Sequence, residues 1–298
     1  MYVLLTVPAM FGLHDERTVL PEGVKEIERT LVMHDNAGEQ YNLQDSASSP
    51  GIRHLLHSSA ILFLFDPTAD PGFRRQYADA QDSQFRDAQY VFEQARIITN
   101  AFETFLRHNH NAETKYTRPV IVLFSKADTL ADELEEVLNT EPFVLNERHE
   151  YILDINYLLK VSYSVRELIK GYSPVITSSI ESRAKDVIYI PVSALGHSPI
   201  EVGTNSRGEV LMGVDLARLK PKWVDVPLLY VLYKLGYLAG DKKCESVPAA
   251  EPQILERLPD SVSFVHPATN RRDSLPNEYM NVNLTCPFTG ANFMIRGK

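Results

Sequence analysis

The chain has 298 residues, of which 44% are hydrophobic and 23% charged, a composition typical of a globular protein. Its net charge of −9 argues against a general nucleic-acid or membrane-surface binder, because both attract a basic face. No apolar run approaches the ~20 residues of a membrane-spanning helix. No basic region precedes the apolar N-terminus and no cleavage site follows it, so we expect neither a membrane span nor a signal peptide.

Cysteine content indicates the redox environment. The two cysteines, Cys244 and Cys286, are too few for a disulfide framework. A reducing compartment suits such a chain, so we expect a cytoplasmic protein.

The N-terminal part alternates apolar runs with polar connections. Tyr2–Val7 and Arg29–His34 are predicted strands, and the connection of ~20 residues between them predicts a loose antiparallel pair rather than a tight hairpin. Residues 40–50 are rich in polar and breaker residues and predict a loop, followed by a short helix over Ile52–His57. The continuous apolar run Ala60–Phe65 is typical of a parallel strand covered on both faces.

Helical spacing becomes prominent in the middle of the chain. Residues 66–76 carry two prolines and a glycine and predict a loop, whereas apolar positions over residues 80–107 keep helical spacing and predict a long amphipathic helix. Pro119–Phe124 is the next predicted buried strand. Leu130–Leu138 and Tyr151–Ile169 are predicted helices.

The last elements complete an alternation of strands and helices. Asp186–Val192 is a predicted strand and Trp223–Leu238 a predicted helix. From residue 29 onward the order is strand, helix, strand, helix, repeated. This order favours an α/β fold, with a doubly wound, mostly parallel sheet that has helices on both faces.

The character of the sequence changes after Gly240. Residues 241–298 contain six prolines and only weak periodicity. We therefore expect an α/β domain over residues 1–240 and an irregular C-terminal tail over 241–298. A short strand pair near Val262–Phe264 and Asn283–Thr285 is compatible with the tail.

Three short motifs each follow an apolar strand. In chain order they are Asp35-Asn36-Ala37-Gly38-Glu39, Ser125-Lys126-Ala127-Asp128 and Ser193-Ala194-Leu195-Gly196. Ligands of doubly wound sheets bind beyond the carboxyl ends of the strands. We therefore expect the three motifs to converge at one edge of the sheet.

This ordered set resembles the third, fourth and fifth signature motifs of the Ras-like P-loop GTPases of the translation-factor-related class. The resemblance covers roughly residues 1–238. In general appearance the chain is most similar to the bacterial double-GTPase type proteins of conflict or defence gene clusters. The resemblance implies a Ras-like sheet, GTP and GDP as ligands, and hydrolysis of GTP to GDP and phosphate.

The resemblance assigns the metal and phosphate chemistry to the first motif. Asp35 would hold Mg²⁺ through a water molecule, as the strand-end aspartate does in P-loop nucleotidases. The backbone N–H of Gly38 would approach the γ-phosphate. Glu39 and Gln40 stand where the attacking water is positioned. Mg²⁺, bound together with GTP, is the implied cofactor.

The second and third motifs are implied to bind the base. The stem of Lys126 would pack along guanine, and the Asp128 carboxylate would accept hydrogen bonds from guanine N1–H and N2–H₂, a pair that adenine cannot offer. Ala194 would donate its backbone N–H to guanine O6. Ser125 and Ser193 belong to the same two loops and are counted with the nucleotide-binding residues.

Two residues depart from the pattern of that family. Ser125 replaces the usual asparagine of the base loop, which weakens binding, and Glu39 replaces the commoner glutamine. We therefore expect slow intrinsic hydrolysis and a protein partner that reads residues 36–50. Thr6 and Thr18 are both candidates for the threonine that caps Mg²⁺.

The largest departure is the phosphate loop, since no G-x-x-x-x-G-K-S/T pattern occurs in the 298 residues. In that family the backbone amides and lysine of this loop supply most of the grip on the phosphates. Three explanations stand: the chain is an N-terminally shortened GTPase; another polypeptide donates the central strand; or Tyr2–Val7 takes the central position. The short spacing between Val7 and Asp35 favours the first.

Two functions follow from these patterns. One is a GTP-binding switch, or a fragment of a GTPase domain that hydrolyses GTP in its complete form. The alternative is a nucleotide-free pseudo-GTPase that serves as a scaffold for protein–protein interaction. An α/β-hydrolase is a third option, but no G-x-S-x-G pattern supports it.

Overall fold

The computed structural model describes residues 4–6, 33–36, 50–78, 82–86, 94–108, 115–208, 210–241, 250–267, 269–286 and 289–297. Over these ranges the fold is mixed α/β, with both parallel and antiparallel strand pairing. The predicted α/β class is confirmed at this level. No helix within these ranges is long and apolar enough to cross a membrane.

The described strands, in chain order, are β1 (Leu4–Thr6), β2 (His34–Asn36), β3 (Ile61–Phe65), β4 (Val120–Phe124), β5 (Phe143–Leu145), β6 (Tyr151–Asp154), β7 (Val187–Pro191), β8 (Ile200–Thr204), β9 (Val210–Gly213), β10 (Gly240–Asp241), β11 (Gln253–Arg257), β12 (Ser261–Val265), β13 (Arg272–Pro276), β14 (Leu284–Thr285) and β15 (Asn292–Phe293). The described helices are α1 (Pro50–His57), α2 (Pro71–Gln76), α3 (Ser83–Arg86), α4 (Gln94–His108), α5 (Ala131–Asn139), α6 (Ile155–Tyr172), α7 (Pro174–Glu181) and α8 (Val226–Lys234).

The main sheet has the strand order β2-β1-β3-β4-β7. β3 pairs with β4 and β4 with β7 in parallel, whereas β1 is antiparallel to both β2 and β3. The predicted antiparallel pairing of the first two strands is therefore confirmed. Because β2 and β3 both oppose β1, β2 runs in the same direction as β3, β4 and β7.

β1 lies inside the main sheet rather than at its edge. It lies between β2 and β3, so the edges of both neighbours that face it are paired. This is the place that the third explanation for the absent phosphate loop gave to Tyr2–Val7. Its direction is reversed, however, because Thr6 pairs with Ile61 at the amino end of β3. The chain leaves β1 at the edge opposite the carboxyl ends of the parallel strands.

The core is built around the parallel strands. Every residue of β4 and β7 is buried, which requires cover on both faces of these strands. α6 packs against β7 and buries Val161, Val165 and Ile169. Continuous apolar runs therefore gave the correct positions for the three parallel strands.

The predicted loop at residues 66–76 is wrong, because it contains the helix α2. Asp70 caps this helix by accepting the backbone N–H groups of Gly72 and Phe73, and Pro71 occupies its first turn. An aspartate followed by proline is a helix-start signal. Phe73 anchors the helix by packing on Phe124, with ring centroids 5.6 Å apart.

Two predicted helices have different bounds. The predicted helix over 80–107 contains α3 and α4, while residues 87–93 lie outside the described ranges. The predicted helix over Tyr151–Ile169 begins as the strand β6, which pairs with β5 and β10. Asp154 then caps α6 by accepting the N–H of Tyr157 at 2.9 Å. This cap explains why the helix starts at Ile155.

The C-terminal region is more ordered than the predicted irregular tail. β11, β12 and β13 form an antiparallel sheet, and β14 pairs with β15. Val262, Phe264, Leu275 and Phe293 are completely buried. The two segments proposed as a strand pair are both strands, β12 and β14, but each pairs with other strands.

Candidate functional site

The loops after β4 and β7 meet at the carboxyl edge of the parallel strands. Asp128 follows β4 and Ser193 follows β7. The Ser193 hydroxyl donates a hydrogen bond to Asp128 Oδ1 and accepts one from the backbone N–H of Gly196 at 2.8 Å. The second and third sequence motifs are therefore in direct contact.

A segment that the sequence did not identify covers the other side of Asp128. The Gln84 side-chain amide donates to Asp128 Oδ2 at 3.1 Å and to Ser198 Oγ at 3.2 Å. Ser198 in turn donates to Asp82. α3 is thus joined to the loop after β7 through polar side chains, and each oxygen of Asp128 accepts one neutral donor.

Lys126 points towards the end of β3. Its ammonium group lies 2.8 Å from Asp66 Oδ2 and 2.9 Å from Thr68 Oγ1. Its backbone has φ of +50°, a left-handed conformation that non-glycine residues adopt rarely and that often marks a functional site. Ser125 also faces β3, since its hydroxyl donates to the carbonyl of Phe65 at 2.9 Å.

Gln94 fixes the position of Asp66. It is completely buried, accepts the N–H of Asp66 at 2.8 Å and donates to its carbonyl at 2.7 Å. The side chain of Gln94 therefore satisfies the backbone of Asp66 as a neighbouring strand would.

The loop after β7 is held by an extended segment. The N–H and carbonyl of Ser193 bond to the carbonyl and N–H of Lys222 at 3.0 and 2.8 Å. Gly196 has φ of +76°, and a Cβ at this position would lie 1.9 Å from the carbonyl oxygen of Lys220, so only glycine fits. Ala194 is exposed, and its N–H donates to no acceptor within the described residues.

A cleft of about 710 Å³ opens beside Asp128. Its lining comes from α5, the β8–β9 hairpin, the loop after β7 and the extended segment, and it includes three cationic side chains: Arg218, Lys220 and Lys222. Burial lowers the pKa of the Lys222 ammonium, and the neighbouring Lys220 ammonium lowers this pKa further. The cleft thus combines four carboxylates, those of Asp82, Asp128, Glu135 and Glu201, with three cations.

Asp35 of the first motif does not reach the carboxyl edge of the sheet, where the other two motifs lie. It pairs with Leu5, which pairs with Leu62, the second residue of β3. Leu62 is in register with Ile121. Ser125 is four residues further along the chain, or about 13 Å at ~3.3 Å per residue. Asp35 is also the middle residue of β2 rather than the residue after its end.

Several predicted site residues lie outside the described ranges. Gly38, Glu39 and Gln40 are among them, as are Thr18 and most of the predicted partner-binding segment 36–50. Within the described ranges, no group of three or more His, Cys, Asp or Glu residues is arranged to hold a metal ion. The magnesium and water-positioning roles therefore stay predictions from the sequence.

Sequence reasoning missed Gln84 and the lysines of the cleft. Gln84 carries no motif, and it reaches Asp128 only through a contact between residues 44 positions apart. Lys220 and Lys222 do have a signal: basic residues two apart around a proline lie on the same side of an extended chain.

Comparisons with protein families, with curated proteins and with solved structures give no match to this chain. The mixed α/β fold and the cleft beside Asp128 are therefore the basis for a functional assignment.

Proposed function

We propose that this chain is a guanine-nucleotide-binding protein of the Ras-like P-loop GTPase class, acting in the cytoplasm as a GTP-binding switch. The observation that carries the proposal is the position of Asp128. Its carboxylate stands at the carboxyl edge of the parallel strands, is held by Ser193 and Gln84, and lines a cleft of about 710 Å³. Small-molecule sites typically have volumes of about 300–1,000 Å³.

The carboxylate retains the capacity to bind a base. Each carboxylate oxygen has two acceptor positions, and each oxygen of Asp128 uses one of them for a neutral donor. Guanine offers two adjacent donors, N1–H and N2–H₂, which match the two remaining positions. Adenine presents an acceptor at N1 and no amino group at C2. The free N–H of Ala194 is suited to guanine O6.

The strand arrangement supports the same class. β2, β3, β4 and β7 share one direction, and both proposed base loops follow adjacent strands of this set. This arrangement is consistent with a doubly wound sheet, in which ligands bind beyond the carboxyl ends of the strands.

Hydrolysis is a further part of the proposal. GTP would be converted to GDP and phosphate with Mg²⁺, which neutralises the phosphate charge. The sequence assigned the metal to Asp35, but this residue lies in the middle of β2 and short of the carboxyl edge, so the proposal assigns no metal ligand; Glu39 with Gln40 are the proposed water-positioning residues. A protein partner would read residues 36–50 in the GTP-bound state.

One observation favours the pseudo-GTPase scaffold as the second candidate. β1 occupies the central position but runs against its neighbours, so no loop leaves it at the carboxyl edge beside Asp128. In the proposed class, that loop is the one that binds the phosphates. The same surfaces would then dock a protein rather than a nucleotide.

Calorimetric titration with GTP, GDP and ATP in the presence of Mg²⁺ distinguishes the two candidates. We expect the wild-type chain to bind GTP and GDP with micromolar affinity, and ATP much more weakly. Asp128→Ala should weaken guanine-nucleotide binding about tenfold or more, because it removes both acceptors.

Asp225→Ala is the matched control. It removes the same charge from an exposed aspartate that makes no side-chain cap hydrogen bond at the start of α8. Equal affinity for GTP and ATP, or no effect of Asp128→Ala, would refute the proposed base site. Failure of every nucleotide to bind would support the scaffold.

A further inference from the structure

Three cations line the cleft beside Asp128 without a carboxylate partner. Arg218, Lys220 and Lys222 take part in none of the ion pairs found among the described residues. Arg218 and Lys220 are exposed, and Lys222 is half-buried. Solvated lysines are common on protein surfaces, so the argument depends on how the backbone holds these residues.

The backbone of this segment is fixed against the base loop. Lys222 exchanges two hydrogen bonds with Ser193, and the N–H of Lys220 donates to the carbonyl of Leu195 at 2.9 Å. Gly196 permits this close approach, because any side chain there would collide with Lys220. The two lysines are therefore held next to the loop that contacts Asp128.

Lys220 and Lys222 line the same cleft, with one residue between them in the chain. Besides burial, the Lys220 ammonium is the neighbour that lowers the pKa of Lys222. Lys222 Nζ donates one hydrogen bond, to Asn139 Oδ1 at 2.7 Å, and a lysine ammonium has three donors. Two cations held side by side with unused donors repel each other, and a bound anion would relieve the repulsion.

Four carboxylates line the same cleft, and none of them forms an ion pair with either lysine within the described residues. Asp82 and Asp128 line the cleft, but they accept hydrogen bonds from Ser198, Ser193 and Gln84. Glu135 and Glu201 also line it and are exposed.

We propose that Lys220 and Lys222, together with Arg218, bind the phosphate groups of the nucleotide whose base Asp128 recognises. The identity of the ligand rests on the proposed function, whereas the cation group is a property of the cleft itself. Lysine and arginine are the side chains that proteins use for phosphate oxygens. The phosphates would then lie across the cleft, beside the extended segment, and would need no loop from the central strand.

The test measures binding of the phosphate groups and binding of the base separately. Pyrophosphate, guanosine and GDP are titrated calorimetrically into the full chain in a phosphate-free buffer. The variants are the double substitution Lys220→Ala/Lys222→Ala and the charge-retaining Lys220→Arg/Lys222→Arg. The control is Arg148→Ala/Arg207→Ala, which removes two exposed cations that do not line the cleft.

We expect the alanine pair to weaken pyrophosphate and GDP binding about tenfold or more and to leave guanosine binding unchanged. The arginine pair should retain most of the affinity, and the control should match the wild type. The retained guanosine binding shows that the alanine pair is folded.

Four results would overturn the inference. If GDP binds but the alanine pair does not weaken it, the inference fails while the proposed function stands. The same holds if GDP binds no more tightly than guanosine. Lysine-dependent pyrophosphate binding without guanosine binding would overturn the proposed function and the nucleotide assignment together. Absence of binding by all three ligands would reject both.

Discussion

Asp128 and Lys126 belong to one sequence motif, yet their side chains have different surroundings. Lys126 forms an ion pair with Asp66, and this pair links the ends of β3 and β4. Within the described residues, Asp128 accepts from a hydroxyl and an amide and forms no ion pair. A carboxylate with this environment is suited to bind the donors of a ligand, whereas Lys126 in the present arrangement is engaged within the protein.

Asp186 lies just before β7, and its carboxyl group has a raised pKa. Burial, and then the Glu278 carboxylate, raise its pKa from 3.8 to about 6, although Lys234 Nζ lies 2.7 Å away. Because the folded-state pKa is above the unfolded one, the folded state binds more protons between these two values. The contribution to stability is complete below pH 3.8 and is lost as the pH rises through 6.

Asp186→Asn removes this pH dependence. The difference in unfolding free energy, variant minus wild type, should be about 2 kcal/mol more favourable to the variant at pH 7 than at pH 4.5. Urea unfolding at the two pH values measures it, with Glu147→Gln, an exposed carboxylate of the β5–β6 turn, as the control for one lost charge. The same difference at both pH values would contradict the assignment.

At the scale of elements, a buried ion-pair network joins α6 and α7 to the C-terminal sheet. The Arg166 guanidinium is 3% exposed and binds Glu181 through two nitrogens at 2.7 and 2.8 Å. It also bonds to Glu167 at 2.6 Å and to the carbonyl of Ser274 in β13 at 3.1 Å. Lys170 adds a second cation, 2.7 Å from Asp273.

Arg166→Ala should destabilise the protein by about 3–5 kcal/mol, because it leaves the buried Glu167 and Asp273 and the half-buried Glu181 with one remaining cation. Urea unfolding is the measurement. Arg183→Ala is the control, because its ion pair with Glu103 at 3.3 Å is part-exposed and such pairs contribute about 0–1 kcal/mol. A loss of less than 1 kcal/mol for Arg166→Ala would show that the network does not hold the C-terminal sheet.

Sequence patterns located some elements better than others. β3, β4 and β7 were predicted because their apolar runs are continuous, as burial on both faces requires. α2 was missed because Pro71 was interpreted as a breaker, although a proline after a capping aspartate starts a helix. In the C-terminal region, β12 and β14 were predicted as strands, whereas β11, β13 and β15 were missed because each has five residues or fewer and gives a weak signal.

At the scale of the whole molecule, the place of β1 in the sheet and the strand register were beyond the sequence. The long connection predicted that the first two strands are antiparallel, but an apolar run does not specify which strands it lies between, so the place of Tyr2–Val7 was left open. The distance of Asp35 from the carboxyl edge of the sheet follows from its pairing across β1, and this pairing depends on contacts between distant parts of the chain.

The candidate site was predictable only in part, because contacts between distant parts of the chain complete it. Motifs placed Ser125–Asp128 and Ser193–Gly196 at strand ends, and the structure brings these two loops together. Gln84 and Lys222 join them from elements far away in the sequence, with no local pattern that indicates the contact. Local motifs thus identified the part of the site that follows directly from strand ends.

The central claim is that the Asp128 carboxylate reads guanine, and exchanging its chemistry tests this most directly. Asp128→Asn replaces one acceptor by a donor. The acceptor and the donor of the new side-chain amide match xanthine, which has a carbonyl where guanine has its amino group. The amide of Gln84 can turn to accept from the new donor, which retains its bond to residue 128 but gives up its bond to Ser198.

The measurement is calorimetric titration of GDP and xanthosine diphosphate into the wild-type chain and Asp128→Asn. We predict that the wild type prefers GDP and that the variant prefers xanthosine diphosphate, each by about tenfold or more, because a mismatched hydrogen-bonding group is left unpaired. An unchanged preference for GDP in the variant, or no binding of GDP by the wild type, would contradict the claim.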